Sequence, residues 1–211
     1  MKFESLTKRV FPLATLVVLT VPSTASAEAG PVQAPPSFAK PFAGSGDIIL
    51  AAKSEQSLAN GIDGAVIVVR HSTIPDRTEN PCELIVVMRR QGSLAMTASN
   101  RELVDCRYNE SARNAPEMGL NNDLVVSSNQ LSFSNELSKG GSTYTFSYDA
   151  TRSSWHLTRV DSTSVATGIS GEVEVHKAEL AYPDSIPWLS IDQFDPKALR
   201  QAIKKNSRLI Q

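Results

Sequence analysis

Little in this sequence points to chemistry. Of its 211 residues, two are cysteine and three are histidine. Cys82 and Cys106 belong to no CxxC. His71, His156 and His176 contain no pair at helical metal-ligand spacing, so the familiar zinc frameworks are absent. Gly168-Ile169-Ser170-Gly171 lacks the spacing of a strained strand-turn-helix nucleophile. Carboxylates are plentiful, but none is marked by its sequence position as an acid/base partner, and Glu172 and Glu174 read as a solvated strand face. No cofactor is implied. A basic surplus is also missing: the formal net charge is −1, which gives no footing for a nucleic-acid partner or an anionic membrane.

What is present begins with an address. Lys2, Lys8 and Arg9 precede a mostly apolar run over residues 10–21, and Ala25-Ser26-Ala27 has the small residues of a cleavage site. The run contains Pro12 and is too short to span a bilayer, so residues 1–27 read as a secretory signal peptide. No cysteine lies near the cleavage point, which excludes lipid attachment there. Loss of Lys2, Glu4, Lys8 and Arg9 takes the formal charge to about −3. No later apolar run is long enough to re-enter a membrane, so a periplasmic or secreted protein without a membrane span is expected. In that compartment two cysteines most simply pair, and a Cys82–Cys106 disulfide would contribute ~3.5 kcal/mol.

Residues 28–46 carry Pro31, Pro35, Pro36 and Pro41 and read as a linker, with Phe38 and Phe42 able to pack on the domain. Residues 47–211 then suit one domain. Residues 48–52 read as a short strand, and residues 54–59 as a turn or short helix. Asn60-Gly61 and Asp63-Gly64 read as turn pairs. The β-branched runs at 65–69 and 84–88 lack alternation, as expected of strands buried on both faces. Gln91-Gly92-Ser93 reverses the chain into residues 94–99. Residues 123–127 and 130–133 form a second hairpin around Ser128-Asn129.

The clearest hairpin spans residues 140–160, with a five-residue loop at Asp149-Ala150-Thr151-Arg152-Ser153. One face carries Tyr144, Phe146 and Tyr148 opposite Trp155 and Leu157. In residues 171–175, Val173 and Val175 read as inward. Asp195 as N-cap, Pro196 at the first helical position and lysines in the last turn mark a short C-terminal helix with Leu199, Ala202 and Ile203 as its apolar stripe. The expected fold is mainly β: about eight strands in an antiparallel, twisted, sandwich-like domain closed by that helix.

Two features remain. Asn109-Glu110-Ser111 matches a glycosylation sequon. Trp155 and Trp188 are candidate stacking platforms for sugars, against the plainer reading that both serve packing.

Asn60-Gly61-Ile62-Asp63-Gly64 followed by its apolar run resembles a degenerate integrin-type repeat entry. With Thr143-Tyr144-Thr145-Phe146-Ser147-Tyr148, Trp155-His156-Leu157 and Asp192-Gln193-Phe194-Asp195-Pro196, it resembles a group of largely uncharacterised periplasmic bacterial proteins. The intact loop of that entry can hold calcium, whereas here only Asn60 and Asp63 remain as side-chain donors, too few for a calcium cage. Comparable secreted β-domains are similar to periplasmic lysozyme inhibitors and immunity proteins, an analogy of fold rather than of site.

Two long aperiodic segments, residues 71–81 and 107–122, abut the cysteines, and such loops are often functional. A disulfide would tie their bases together. The expected recognition surface for another periplasmic or secreted protein carries Arg77, Glu79, Arg107, Tyr108, Arg113 and Met118. The competing reading is two surface loops joined by a stabilising bond. A strict hairpin centred on Gly92 would put Cys82 opposite Glu102 and leave the sulfurs roughly 13 Å apart. The chain must therefore curl back between Arg101 and Asp105. A hydrolase with an unmarked site and a sugar-binding envelope module are the alternative functions.

Overall fold

Two-residue turns with left-handed backbone set the architecture. The computed structural model describes residues 34–74 and 79–210, so the expected signal peptide and Arg77 lie outside the described residues. Asn60 and Gly61 (φ 48° and 81°) join β1 (Ile48–Ala59) to β2 (Ile62–Arg70). Gln91 and Gly92 (φ 50° and 85°) join β3 (Cys82–Arg90) to β4 (Ser93–Asn100). Positive φ at both central residues matches the right-handed twist of paired strands. The four strands form one antiparallel sheet in chain order.

The second sheet is a six-stranded antiparallel meander: β5 (Leu124–Ser127), β6 (Gln130–Leu137), β7 (Gly140–Asp149), β8 (Ser154–Thr167), β9 (Val173–Ala181) and the two-residue β10 (Arg208–Leu209). Between the sheets lies the short helix α1 (Glu110–Arg113), and before β10 lies α2 (Arg200–Asn206). The domain is mainly β, with ten strands among the described residues against about eight expected. No helix among them is long and apolar enough to cross a membrane.

The missing alternation in the first sheet has a direct cause. Val66, Val68, Leu84 and Val86 pack in the core shared with the second sheet. Their neighbours Ala65, Ile67, Val69, Ile85 and Val87 pack in a separate cluster on the sheet's other face. That outer cluster is closed by Phe38, Ala39, Phe42 and Ala43, so the later part of the proline-rich segment packs on the sheet. The shared core receives the aromatic stripe as expected: Tyr144, Phe146, Trp155 and Leu157 are buried. Phe194 sits edge-on to Tyr144 and Phe146, at 4.9 and 5.3 Å.

Several local expectations are corrected. Residues 54–59 continue β1 as strand, with a bulge between Glu55 and Ala59 where Ser57 takes φ 60°. Asp63-Gly64 is no turn: Gly64 lies inside β2, because the Leu58 side chain and the Val87 carbonyl fill the space a Cβ would need. The loop between β7 and β8 has four residues, Asp149 pairing with Ser154. On β9 the facing is reversed. Ala178 and Leu180 are buried, whereas Val173, of opposite parity, is 60% exposed. The C-terminal helix starts as a 3-10 turn over Pro196–Leu199, capped by Asp195, before continuing as α2.

Candidate functional site

The site is built on an irregular segment held by asparagines. β4 ends at Asn100, paired with Leu84. A bulge between Val86 and Val87 brings the tight Gln91-Gly92 turn into the register that would set Cys82 opposite Glu102. The ladder stops before that point. Asn100 Oδ1 accepts the N–H groups of Glu102 (2.8 Å) and Leu103 (2.6 Å), turning the chain inward so that Leu103 and Val104 are fully buried. The Cys106 N–H then donates back to the Val104 carbonyl at 3.0 Å. This is the curl that disulfide formation required, and Cys82 and Cys106 are bonded with Cα atoms 5.8 Å apart.

Asn80 holds the same junction from the other loop. Its Nδ2 donates to the carbonyls of Arg101 (2.5 Å) and Val104 (2.6 Å), and its Oδ1 accepts from Cys106 N–H (3.2 Å). Asn135 Nδ2 donates to Leu103 O, and its Oδ1 accepts from Asp105 N–H. Asn109 caps α1 and donates to Glu136 O. Among the described residues these four asparagines are the buried polar side chains, and all four engage the stretch from Arg101 to Ala112. The sequon asparagine is thus fully employed as a buried cap. Sequence reading missed all of this; only the cysteine spacing hinted at it.

Two cavities flank the curl. The larger, about 730 Å³, is lined by Arg70, His71, Glu79, Arg107 and Arg113. The smaller, about 260 Å³, is lined by Asp105, Arg107, Tyr108, Tyr144, Asp195 and Ile203 among others. The structure therefore brings Glu79, Arg107 and Arg113 together at the larger cavity, while Tyr108, 72% exposed, lines the smaller one next to Arg107. Met118 is elsewhere: it is buried in the outer cluster of the first sheet, its N–H bound to Ile49 O. Its apolar thioether belongs to core, which corrects its assignment to the surface.

The arginines are anchored. Arg70 donates to the carbonyls of Arg113 and Ala115, and burial pushes its pKa down. Arg113 donates to Arg107 O and pairs with Glu110, both at 3.1 Å. Arg107 Nη2 reaches Glu102 at 3.3 Å, while its buried Nε has no partner among the described residues.

His71 stands between two carboxylates. Nδ1 lies 2.8 Å from Asp47 and Nε2 lies 2.9 Å from Glu83, so neither nitrogen is free to act as a base. Burial works to raise the Asp47 pKa. Hydrogen bonds from Ser72 N–H, His71 and Gly44 N–H outweigh it and hold the group at about 2. Glu83 is also lowered: burial opposes this, and hydrogen bonds from Ser99 and His71 with the charge of Arg101 prevail.

His156 is pushed down by burial and stacks on Trp188 at 4.1 Å. The Arg152 guanidinium lies 4.0 Å from the same ring centroid. Two groups at that distance must occupy opposite faces of the indole, so Trp188 has no open face. Trp155 is 2% exposed. Neither tryptophan offers a sugar a stacking surface. Comparison with protein-family models, curated proteins and solved structures finds no match to this chain.

Proposed function

We propose that this is an exported, non-catalytic binding protein that recognises another periplasmic or secreted protein, acting as an inhibitor or immunity factor for a cell-wall-active enzyme. The face around the Cys82–Cys106 bond does the binding. One observation carries the reading: a hydrogen-bonded frame holds Arg107 and Arg113 at an open cavity, and the exposed Tyr108 ring lies 5.9 Å from the Arg107 guanidinium. Tyrosine and arginine dominate binding hot spots, and a side chain fixed before contact loses less entropy on docking. The fully engaged His71 and the closed faces of Trp188 favour this over a hydrolase or a sugar-binding module.

The test is recovery of a partner from periplasmic extract by the mature protein, combined with inhibition of cell-wall hydrolase activity. Tyr108→Ala, which removes an exposed ring, should weaken both by at least about tenfold. Glu179→Ala, on the outer face of the second sheet, should leave both unchanged. No partner and no inhibition would overturn the proposal.

A further inference from the structure

The smaller cavity has a chemistry of its own, although Arg107 and Tyr108 line it as well as the proposed binding face. Its apolar lining comes from Leu137 and Tyr144 of the second sheet and Ile203 of α2. Its walls carry three acids, Glu102, Asp105 and Asp195, and three bases, Arg107, Lys197 and Arg200. Glu102 is occupied by two of the bases, Arg107 at 3.3 Å and Lys197 at 3.8 Å.

The remaining polar capacity is unspent on both sides. Asp105 Oδ1 accepts Tyr108 N–H, and Asp195 Oδ1 accepts Lys197 N–H. Among the described residues, the second oxygen of each carboxylate has no donor. Arg107 Nε is buried without an acceptor, and the exposed Arg200 has no carboxylate partner there.

A purely anionic ligand would face Asp105 and Asp195, and a purely cationic one would face Arg107 and Arg200. Either meets like charge at short range. A ligand with both charges on an apolar body answers every open group. We infer that this cavity binds a zwitterionic small molecule, a free amino acid with an apolar side chain or a dipeptide. Its ammonium lies toward Asp105 and Asp195, and its carboxylate lies toward Arg107 and Arg200. A volume of about 260 Å³ is below that of a typical drug-sized pocket, which suits such a ligand.

The test is calorimetric titration of the intact protein with phenylalanine, leucine and the dipeptide Ala-Phe. N-acetylphenylalanine and phenylalaninamide serve as probes lacking one charge each. Saturable binding of at least one zwitterion is expected, with each blocked form weaker by about tenfold or more. Two variants keep the fold. Asp195→Asn retains a side chain that caps as well as aspartate. Arg107→Lys retains the charge opposite Glu102 and removes Nε. Each should weaken binding about tenfold without lowering the urea midpoint. Absence of saturable binding, equal binding of the blocked forms, or variants that bind as the wild type would each overturn the inference. Arg200→Ala separates the two proposals, because the exposed Arg200 lines the smaller cavity and not the larger one. Loss of zwitterion binding with the protein partner retained supports the cavity assignment, and unchanged zwitterion binding overturns it.

Discussion

Reducing the Cys82–Cys106 bond tests where its stabilisation resides. The bond closes a loop between residues 24 apart, for which the chain-entropy treatment gives about 3.5 kcal/mol. That energy belongs to the unfolded chain, provided the folded junction keeps its shape after reduction. Asn80 gives the reason to expect this, since its side chain binds Arg101 O, Val104 O and Cys106 N–H without help from the sulfurs. Both cysteines are fully buried, so reduction requires transient unfolding, and the reduced protein is best prepared by refolding under reductant. Urea denaturation of the oxidised and reduced forms should then differ by about 3.5 kcal/mol in water. The reduced form should show the larger urea dependence, because its unfolded ensemble exposes more surface. At this chain length the midpoint temperature should fall by roughly 7–14 °C. Hydrogen exchange of the Leu103 and Cys106 amides should stay slow relative to global unfolding. A difference below about 1 kcal/mol would refute the calculation. Loss of amide protection at 101–106 alone would refute its assignment to the unfolded state.

Other perturbations probe the frame and its surroundings. Asn80→Ala should cost about 3 kcal/mol by urea denaturation, since it strands two carbonyls and an amide in a buried junction; a cost under about 1 kcal/mol would show that the curl holds itself. Asp47, whose side chain is 6% exposed, has its pKa lowered from 3.8 to about 2, so its contribution is fully present above about pH 4 and is lost as pH falls toward 2. That is worth about 2 kcal/mol, and Asp47→Asn should flatten the pH dependence of stability between pH 4 and 2. Gly64→Ala would place a Cβ 2.5 Å from Val87 O and should lower stability by roughly 2 kcal/mol or more; an unchanged melting curve would count against the packing of Leu58 there.

Where a segment meets the core, its pattern was legible. The runs at 65–69 and 84–88 lack alternation because each face of the first sheet has its own apolar cluster, and the 140–160 stripe alternates because one face is core. Where a segment leaves the core, the pattern misled. The polar start of residues 54–59 looks like a turn or short helix, yet the segment continues β1, with its bulge between Glu55 and Ala59. The β8–β9 ladder runs on to Thr167 and Val173, where exposed Val173 and Ile169 show that burial no longer dictates facing. The aperiodic segment around Met118 suggests surface. A segment without secondary structure can still be core when, as here, its amides bind a strand edge: Met118 and Leu120 donate to Ile49 and Leu50.

The candidate site divides in the same way. The cysteines and the loops beside them were visible, and with them Glu79, Arg107, Tyr108 and Arg113. The asparagines were not, because each acts through a partner far along the chain. Asn80 reaches 24 residues to Val104, Asn135 reaches 32 to Leu103, and Asn100 donates across 91 residues to Ile191 O. An asparagine on a loop tip and one pinning a buried turn are the same letter. Yet the physics requires such pins. A chain that leaves a ladder and dives into a core carries its carbonyls and amides with it, and each left unpaired costs about 1–3 kcal/mol. The side-chain amide answers this economically, offering donor and acceptor together without a charge to desolvate. The segment between Arg101 and Ala112 is therefore aperiodic but fixed. Its rigidity is what lets Arg107 stand between two cavities with one donor still unspent.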